Sequence, residues 1–155
     1  MKKILIFLVL IIGAAFGDEE NPKVVYDLTT SNMAKFEKNI LKGITYNKSH
    51  YESNLKELEV AVVIHGGAYR FFVKDIKSTL FKDDKKLVQN YKELKKRIAS
   101  MSDTYEVEFI MCGAAMKRNK LEKKDIVEFV KIVPNSTIGL IDKQNEGFAY
   151  IPVRD

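Results

Sequence analysis

The chain has 155 residues, of which 46% are hydrophobic and 30% are charged, and its formal net charge is +5. This length fits one ordinary domain, and so mild a charge disfavours the strongly basic surface typical of nucleic-acid-binding proteins. The chain contains one cysteine and two histidines without ligand spacing, which excludes an intrachain disulfide and disfavours a zinc site.

The first 17 residues have the layout of a secretory signal peptide. Lys2 and Lys3 precede an apolar run over residues 4–16, and small residues lie at the two positions that a signal peptidase reads. The run is shorter than the roughly 20 residues of a membrane span, which favours cleavage over an uncleaved anchor. The sequence therefore predicts an exported, periplasmic protein whose domain covers residues 18–155, with no membrane attachment after cleavage.

Five β-prone segments alternate with helical patterns along the domain. The predicted strands cover residues 23–28, 58–65, 105–111, 131–133 and 148–153. Apolar residues recur at helical spacing over residues 33–44, 69–80, 87–101 and 138–141, with shorter helical stretches near Ala114 and over residues 125–130. This alternation predicts a parallel sheet with helices on both faces. Pro152 places the last strand at an edge, because proline cannot donate to a ladder.

Three polar or reactive side chains, Asp27, His65 and Cys112, lie at the carboxyl ends of predicted strands, where ligands bind in parallel α/β sheets. If a helix begins after Gly113, its unpaired N–H groups favour a Cys112 thiolate, and the nearby Lys117 and Arg118 act in the same direction. The alternative is a cysteine that only fills the strand end as a small hydrophobe.

The other residues around this edge each allow two interpretations. His65 is either a hydrogen-bonded structural residue or a base and charge partner for Cys112. Gly66 and Gly67 favour a tight strand-to-helix turn over an anion-binding nest. Asp27 either caps the following helix, which we favour, or meets His65.

Aromatic residues occur on both sides of the helix that is predicted to follow Gly67. Tyr69 and Phe71 lie on different faces of that helix, so the pattern predicts one outward aromatic near Phe71. Such a side chain would wall the Cys112 site or pack against a second subunit.

Several segments resemble proteins of the DsrE/DsrF-like family. MCGAAMKRN at residues 111–119 resembles the strand-end segment of that family, and VVIHGG at residues 62–67 resembles its apolar strand ending in His-Gly. Residues 132–134 and 146–151 resemble its closing part. The resemblance implies a three-layer α/β/α fold with a five-stranded parallel sheet, and assembly into trimers or hexamers.

The same resemblance implies a sulfur-carrier or sulfurtransferase role. It makes Cys112 the reactive position that holds a persulfide, with His65 lining the site, and it implies a protein that donates or accepts sulfur as partner. The predicted signal peptide argues against the cytoplasmic, tRNA-linked form of this function. No metal or cofactor is expected. The expectation is a periplasmic sulfur-handling protein; the alternative is a non-catalytic oligomeric binding module with Cys112 buried.

Overall fold

The protein is described by a computed structural model over residues 21–155, so the predicted signal peptide lies outside the described residues. Five parallel strands form one sheet in the order β4-β3-β2-β1-β5. The strands are β1 (Lys23–Leu28), β2 (Glu59–Ile64), β3 (Glu108–Cys112), β4 (Val130–Val133) and β5 (Ala149–Val153). The predicted α/β domain with a five-stranded parallel sheet is confirmed.

Helices cover both faces of this sheet. The helices are α1 (Met33–Phe36), a π-helical segment (Glu37–Lys42), α2 (Gly43–Glu52), α3 (Lys85–Asp103) and α4 (Ser136–Asn145). The larger core lies between the sheet and α1 to α3, while α4 alone covers a smaller core on the opposite face. β2 is buried on both faces over its last five residues, as expected for a central strand with an unbroken apolar run.

The helix α4 begins and packs as its sequence indicates. The Asn135 side chain accepts a hydrogen bond from the Ile138 N–H at 3.0 Å and caps the first turn. A Cβ on Gly139 would lie 3.3 Å from Ile110 Cγ2, so this glycine lets the helix approach the sheet closely. β5 lies at the sheet edge with Pro152 exposed, as predicted.

Two predicted helices are wrong. In place of one α-helix over residues 69–80, the chain forms a 3₁₀ helix (Gly66–Phe71) and a short second one (Ile76–Ser78). The Lys74 N–H donates to the Asp125 carbonyl at 2.7 Å, and the Val127 N–H donates to the Phe72 carbonyl at 3.0 Å. These two segments bond to each other across the chain, so their backbone groups are not available for α-helical bonds over residues 69–80 or 125–130.

The outward aromatic near Phe71 is also a wrong prediction. Phe71 is 1% exposed and stacks on Phe36 with 4.4 Å between ring centroids, and Tyr69 is fully buried. The 3₁₀ segment is enclosed by α1, α3 and the sheet, so both aromatics are covered although they project in different directions. Phe71 therefore offers no contact to a second subunit.

No helix within residues 21–155 is both long enough and apolar enough to span a bilayer.

Candidate functional site

Cys112 is the last residue of β3 and is 6% exposed. The chain turns sharply after it into a 3₁₀ helix (Gly113–Ala115). A Cβ on Gly113 would lie 3.0 Å from the Val133 carbonyl oxygen, and the Ala114 N–H donates to the Pro134 carbonyl at 3.0 Å. A glycine is therefore needed where the turn passes close to the end of β4.

Hydrogen-bond donors surround the sulfur of Cys112. The backbone N–H groups of Ala115 and Ser136 and the Ser136 hydroxyl lie near it, and the Tyr69 hydroxyl is also close. Burial raises the pKa of the Cys112 thiol, but these donors outweigh burial and bring the pKa below its ordinary value. The arrangement favours the thiolate, which is the nucleophilic form of cysteine.

The direction of this shift matches the sequence analysis, but its causes differ in part. The N–H of Ala115 belongs to the helical turn after Gly113, as expected. The other donors come from α4 and from the segment after β2, ahead of any contribution from Lys117 and Arg118.

Tyr69, from the segment after β2, contacts Cys112 directly. Its buried hydroxyl donates to the Cys112 carbonyl oxygen as well as lying against the sulfur. Burial raises the pKa of Tyr69, and the contact with Cys112 raises it further, so the phenol stays a neutral donor.

A second polar cluster lies at the carboxyl end of β1. The Asp27 residue is 3% exposed, and His65 Nε2 lies 2.5 Å from its Oδ1. On Oδ2, Asp27 accepts hydrogen bonds from the Tyr150 hydroxyl at 2.5 Å and from Arg154 Nη2 at 2.9 Å. The favoured interpretation of Asp27 as a helix cap is wrong, because Asn32 caps α1; the alternative contact with His65 is the one that forms.

These partners keep Asp27 ionised. Burial alone raises the pKa of a carboxyl group, but the hydrogen bonds from Tyr150, His65 and Arg154 lower the pKa of Asp27 below its ordinary value. With Asp27 accepting on both oxygens, His65 carries its shared proton on Nε2, and Nδ1 is left for another partner.

The strand register places His65 beside Cys112. Ile64 of β2 is paired with Met111 of β3, and the His65 N–H continues the ladder by donating to the Leu28 carbonyl at 3.0 Å. His65 and Cys112 therefore occupy adjacent positions on the same sheet face, on strands that lie about 4.8 Å apart. Asp27 lies on the next strand, where it is paired with Val63, so the His65 side chain reaches back by two positions towards β1 to meet it.

The two glycines after His65 shape the turn that follows β2. Gly66 has φ +59, and a Cβ on Gly67 would lie 2.7 Å from Ser31 Cβ. The Gly67 N–H donates to the Thr29 carbonyl at 3.0 Å, so it belongs to a tight turn and not to an open anion nest.

Sequence analysis missed Tyr69, Ser136, Tyr150 and Arg154 as site residues. Ser136 could have been found, because it begins the helix after β4 and β4 lies next to β3. Tyr150 and Arg154 become visible only once β5 is known to pair with β1 on the side away from β2.

No cluster of three His, Cys, Asp or Glu side chains suited to a metal ion exists in residues 21–155. A cavity of about 580 Å³ lies at the opposite edge of the sheet, between the ends of α2 and α3, and its lining includes Glu52, Leu55 and Glu106. It is remote from the carboxyl-edge cluster.

Comparisons with known proteins agree with the fold. A protein of Aquifex aeolicus (strain VF5), described as uncharacterized, is 30% identical over 152 residues, which is 98% of this chain. The chain spans 64% of that relative's length. The solved structure of MTH1491, a protein of unknown function from Methanobacterium thermoautotrophicum, superimposes with a TM-score of 0.61 at 18% identity. It covers 85% of this chain and 99% of its own.

A family model identifies the family to which the sequence belongs. The model of the DsrE/DsrF-like family matches residues 8–153, which is nearly the whole chain and includes Cys112, His65 and Asp27. The chain belongs to the DsrE/DsrF-like family.

Proposed function

We propose that this chain is a sulfur-handling protein in which Cys112 accepts a sulfane sulfur as a persulfide and passes it on. The observation that carries the proposal is the set of donors around the Cys112 sulfur, which lowers its pKa despite burial. Persulfide formation needs a thiolate that attacks a sulfur–sulfur bond, and these donors favour the thiolate form of Cys112. Family membership supports the same assignment.

We further propose that the protein acts in the periplasm. Support comes from residues 1–17, whose charged start, apolar run and small residues have the layout of a signal peptide. N-terminal sequencing of the protein from cells should return a chain that begins near Asp18. An intact Met1 in a membrane fraction would contradict export.

Assembly into a trimer or hexamer, and a protein that donates or accepts sulfur, belong to the same proposal. Support for a homo-oligomer comes from the family resemblance and from apolar side chains exposed on α4 and β5, namely Ile138, Ile141 and Ile151. Light scattering tests the assembly: at least a dimer mass is expected, and a monomer at micromolar concentration contradicts it.

A second candidate function is a non-catalytic binding module. The 6% exposure of Cys112 favours it, because a thiol that no partner reaches cannot carry sulfur. The two candidates differ in whether the native thiol reacts.

Mass spectrometry separates the candidates. The protein is incubated with inorganic polysulfide, desalted without reductant and weighed intact; a gain of ~32 Da per added sulfur reports the persulfide. The gain is expected in the native protein and should be lost in Cys112→Ser. If the native thiol takes up neither sulfur nor an alkylating reagent until the protein is unfolded, the carrier proposal fails and the binding module replaces it.

A further inference from the structure

Asp27 is a buried carboxylate that the sulfur chemistry at Cys112 does not directly use. It receives three donors, from His65, Tyr150 and Arg154, and Arg154 Nη2 also lies 2.6 Å from the Tyr150 hydroxyl. A buried carboxylate costs desolvation, and Asp27, whose side chain is 5% exposed, offsets that cost through these three donors. Among the members of this cluster, His65 lies nearest to Cys112 along the sheet, because it follows Ile64, whose partner Met111 precedes Cys112.

We propose that His65 is the proton donor and acceptor for sulfur transfer at Cys112, and that Asp27 is the positioning residue that orients its imidazole. The proposal rests on the persulfide function above and assigns the proton that this function requires. Asp27 Oδ1 holds Nε2, so Nδ1 is the nitrogen left to exchange a proton with a sulfur atom beside Cys112.

The step balances without an external oxidant or reductant. The Cys112 thiol gives its proton to His65, and the thiolate attacks the outer sulfur of a persulfide donor R–S–SH. The donor's sulfur–sulfur bond breaks, its electron pair leaves on R–S⁻, and a new sulfur–sulfur bond forms at Cys112. The His65 imidazolium then protonates R–S⁻, which gives R–SH and Cys112–S–SH.

The His65 imidazole is partly open to an approaching donor. The His65 side chain is 27% exposed to solvent, whereas the Asp27 side chain that it contacts is 5% exposed. A donor can therefore reach the pair from the His65 side.

The charged and titratable groups around His65 are few. Asp27 faces it from β1, Cys112 lies beside it on β3, and Tyr150 and Arg154 reach Asp27 from β5. On α4, which covers this face, Ser136 supplies only neutral donors near the sulfur.

The test uses two donors that differ in their leaving group. Single-turnover transfer to the protein is followed by intact mass with an alkyl persulfide, whose leaving thiolate is basic and needs a proton, and with an aryl persulfide, whose leaving thiolate does not. His65→Gln keeps an N–H that can bond Asp27 but cannot titrate. The exposed His50 on α2 provides the matched control, His50→Gln.

The expected result is a leaving-group dependence. His65→Gln should slow transfer from the alkyl donor about 100-fold, with much less effect on the aryl donor. Asp27→Asn should show the same pattern to a smaller extent, and His50→Gln should match the native protein. Circular dichroism checks that each variant is folded.

Equal slowing with both donors, or none with either, in folded His65→Gln overturns the assignment of His65. If the native protein takes up sulfur from neither donor, it is the persulfide proposal itself that fails. The two failures are therefore distinguishable.

Discussion

The two edges of the sheet differ in character: the amino edge has an open cavity, whereas the carboxyl edge has buried polar groups. The amino edge holds a cavity of about 580 Å³ between the ends of α2 and α3, lined by exposed residues such as Leu55, which is 97% exposed. The carboxyl edge holds buried polar atoms instead: the Cys112 sulfur with its donors, and Asp27 with its three partners. Chemistry needs controlled charge and restricted water more than volume, so the carboxyl edge is the better candidate site.

The difference follows from the parallel topology. At the carboxyl edge, each strand turns into a loop or helix whose first N–H groups point back at the strand ends. At the amino edge, the strands are entered from helix ends and exposed turns, such as Leu55 at φ +57. Substitutions at the carboxyl edge should therefore alter stability and thiol reactivity together, while amino-edge changes should alter neither.

The largest expected effect is on stability at Asp27. Asp27→Asn should lower the free energy of unfolding by about 3 kcal/mol, because it leaves three donors facing an amide in place of a carboxylate. Asp142→Asn, an exposed change on α4, should cost less than about 0.5 kcal/mol. Urea unfolding of both variants measures the difference.

The contribution of Asp27 to the free energy of unfolding should decrease as the pH falls. The folded state lowers the pKa of Asp27, so the folded protein binds fewer protons there than the unfolded chain does. The stability from Asp27 should be complete above its unfolded pKa of about 3.9 and disappear as pH falls through the folded value. The gap between native protein and Asp27→Asn should close in acid; a gap that widens there contradicts the ionised state of Asp27.

The next effect is on the reactivity of Cys112. Tyr69→Phe removes the hydroxyl that donates to the Cys112 carbonyl oxygen and lies near the sulfur, so the pKa of Cys112 should rise and alkylation at neutral pH should slow about tenfold. Tyr91→Phe is a matched control, because its buried hydroxyl donates to the Val73 carbonyl at 2.5 Å, in a different part of the core. Equal alkylation rates in both variants would show that Tyr69 does not tune the thiol.

The smallest expected effect is at Asp155. Its carboxylate accepts hydrogen bonds from the Thr30 hydroxyl and from the Ser31 N–H and hydroxyl, which lower its pKa to about 2. The folded pKa is depressed, so this contribution to stability is present above about pH 4 and is lost as pH falls towards the folded value. The melting temperature of Asp155→Asn, measured by thermal unfolding, should approach that of the native protein as pH falls through this range.

The sequence predicted the sheet more accurately than the segments around it. β1, β2 and β3 are apolar runs flanked by turn residues, so their positions follow from local pattern. The prediction of a helix over residues 69–80 was wrong because other parts of the fold bury the apolar side chains there. Their spacing in the sequence therefore resembles that of an amphipathic helix without one being present.

The candidate site was predictable in part for a related reason. Cys112, His65 and Asp27 could be placed at one edge, because carboxyl ends of parallel strands meet. Their partners depend on strand order: Ser136 follows β4, and Tyr150 and Arg154 belong to β5, which pairs with β1 across the chain. No local pattern reveals those pairings, so the choice between a cap and a His65 contact for Asp27 could not be made from sequence.

The most direct test of the carboxyl edge is the ionisation of Cys112 in the native protein. The rate of alkylation by iodoacetamide, measured against pH under native conditions, gives the apparent pKa of the only thiol in the chain. The polar groups of Ala115, Ser136 and Tyr69 near the sulfur predict an apparent pKa below the ordinary thiol value of about 8.5. An apparent pKa at or above that value, or a thiol that reacts only after unfolding, would contradict a reactive Cys112.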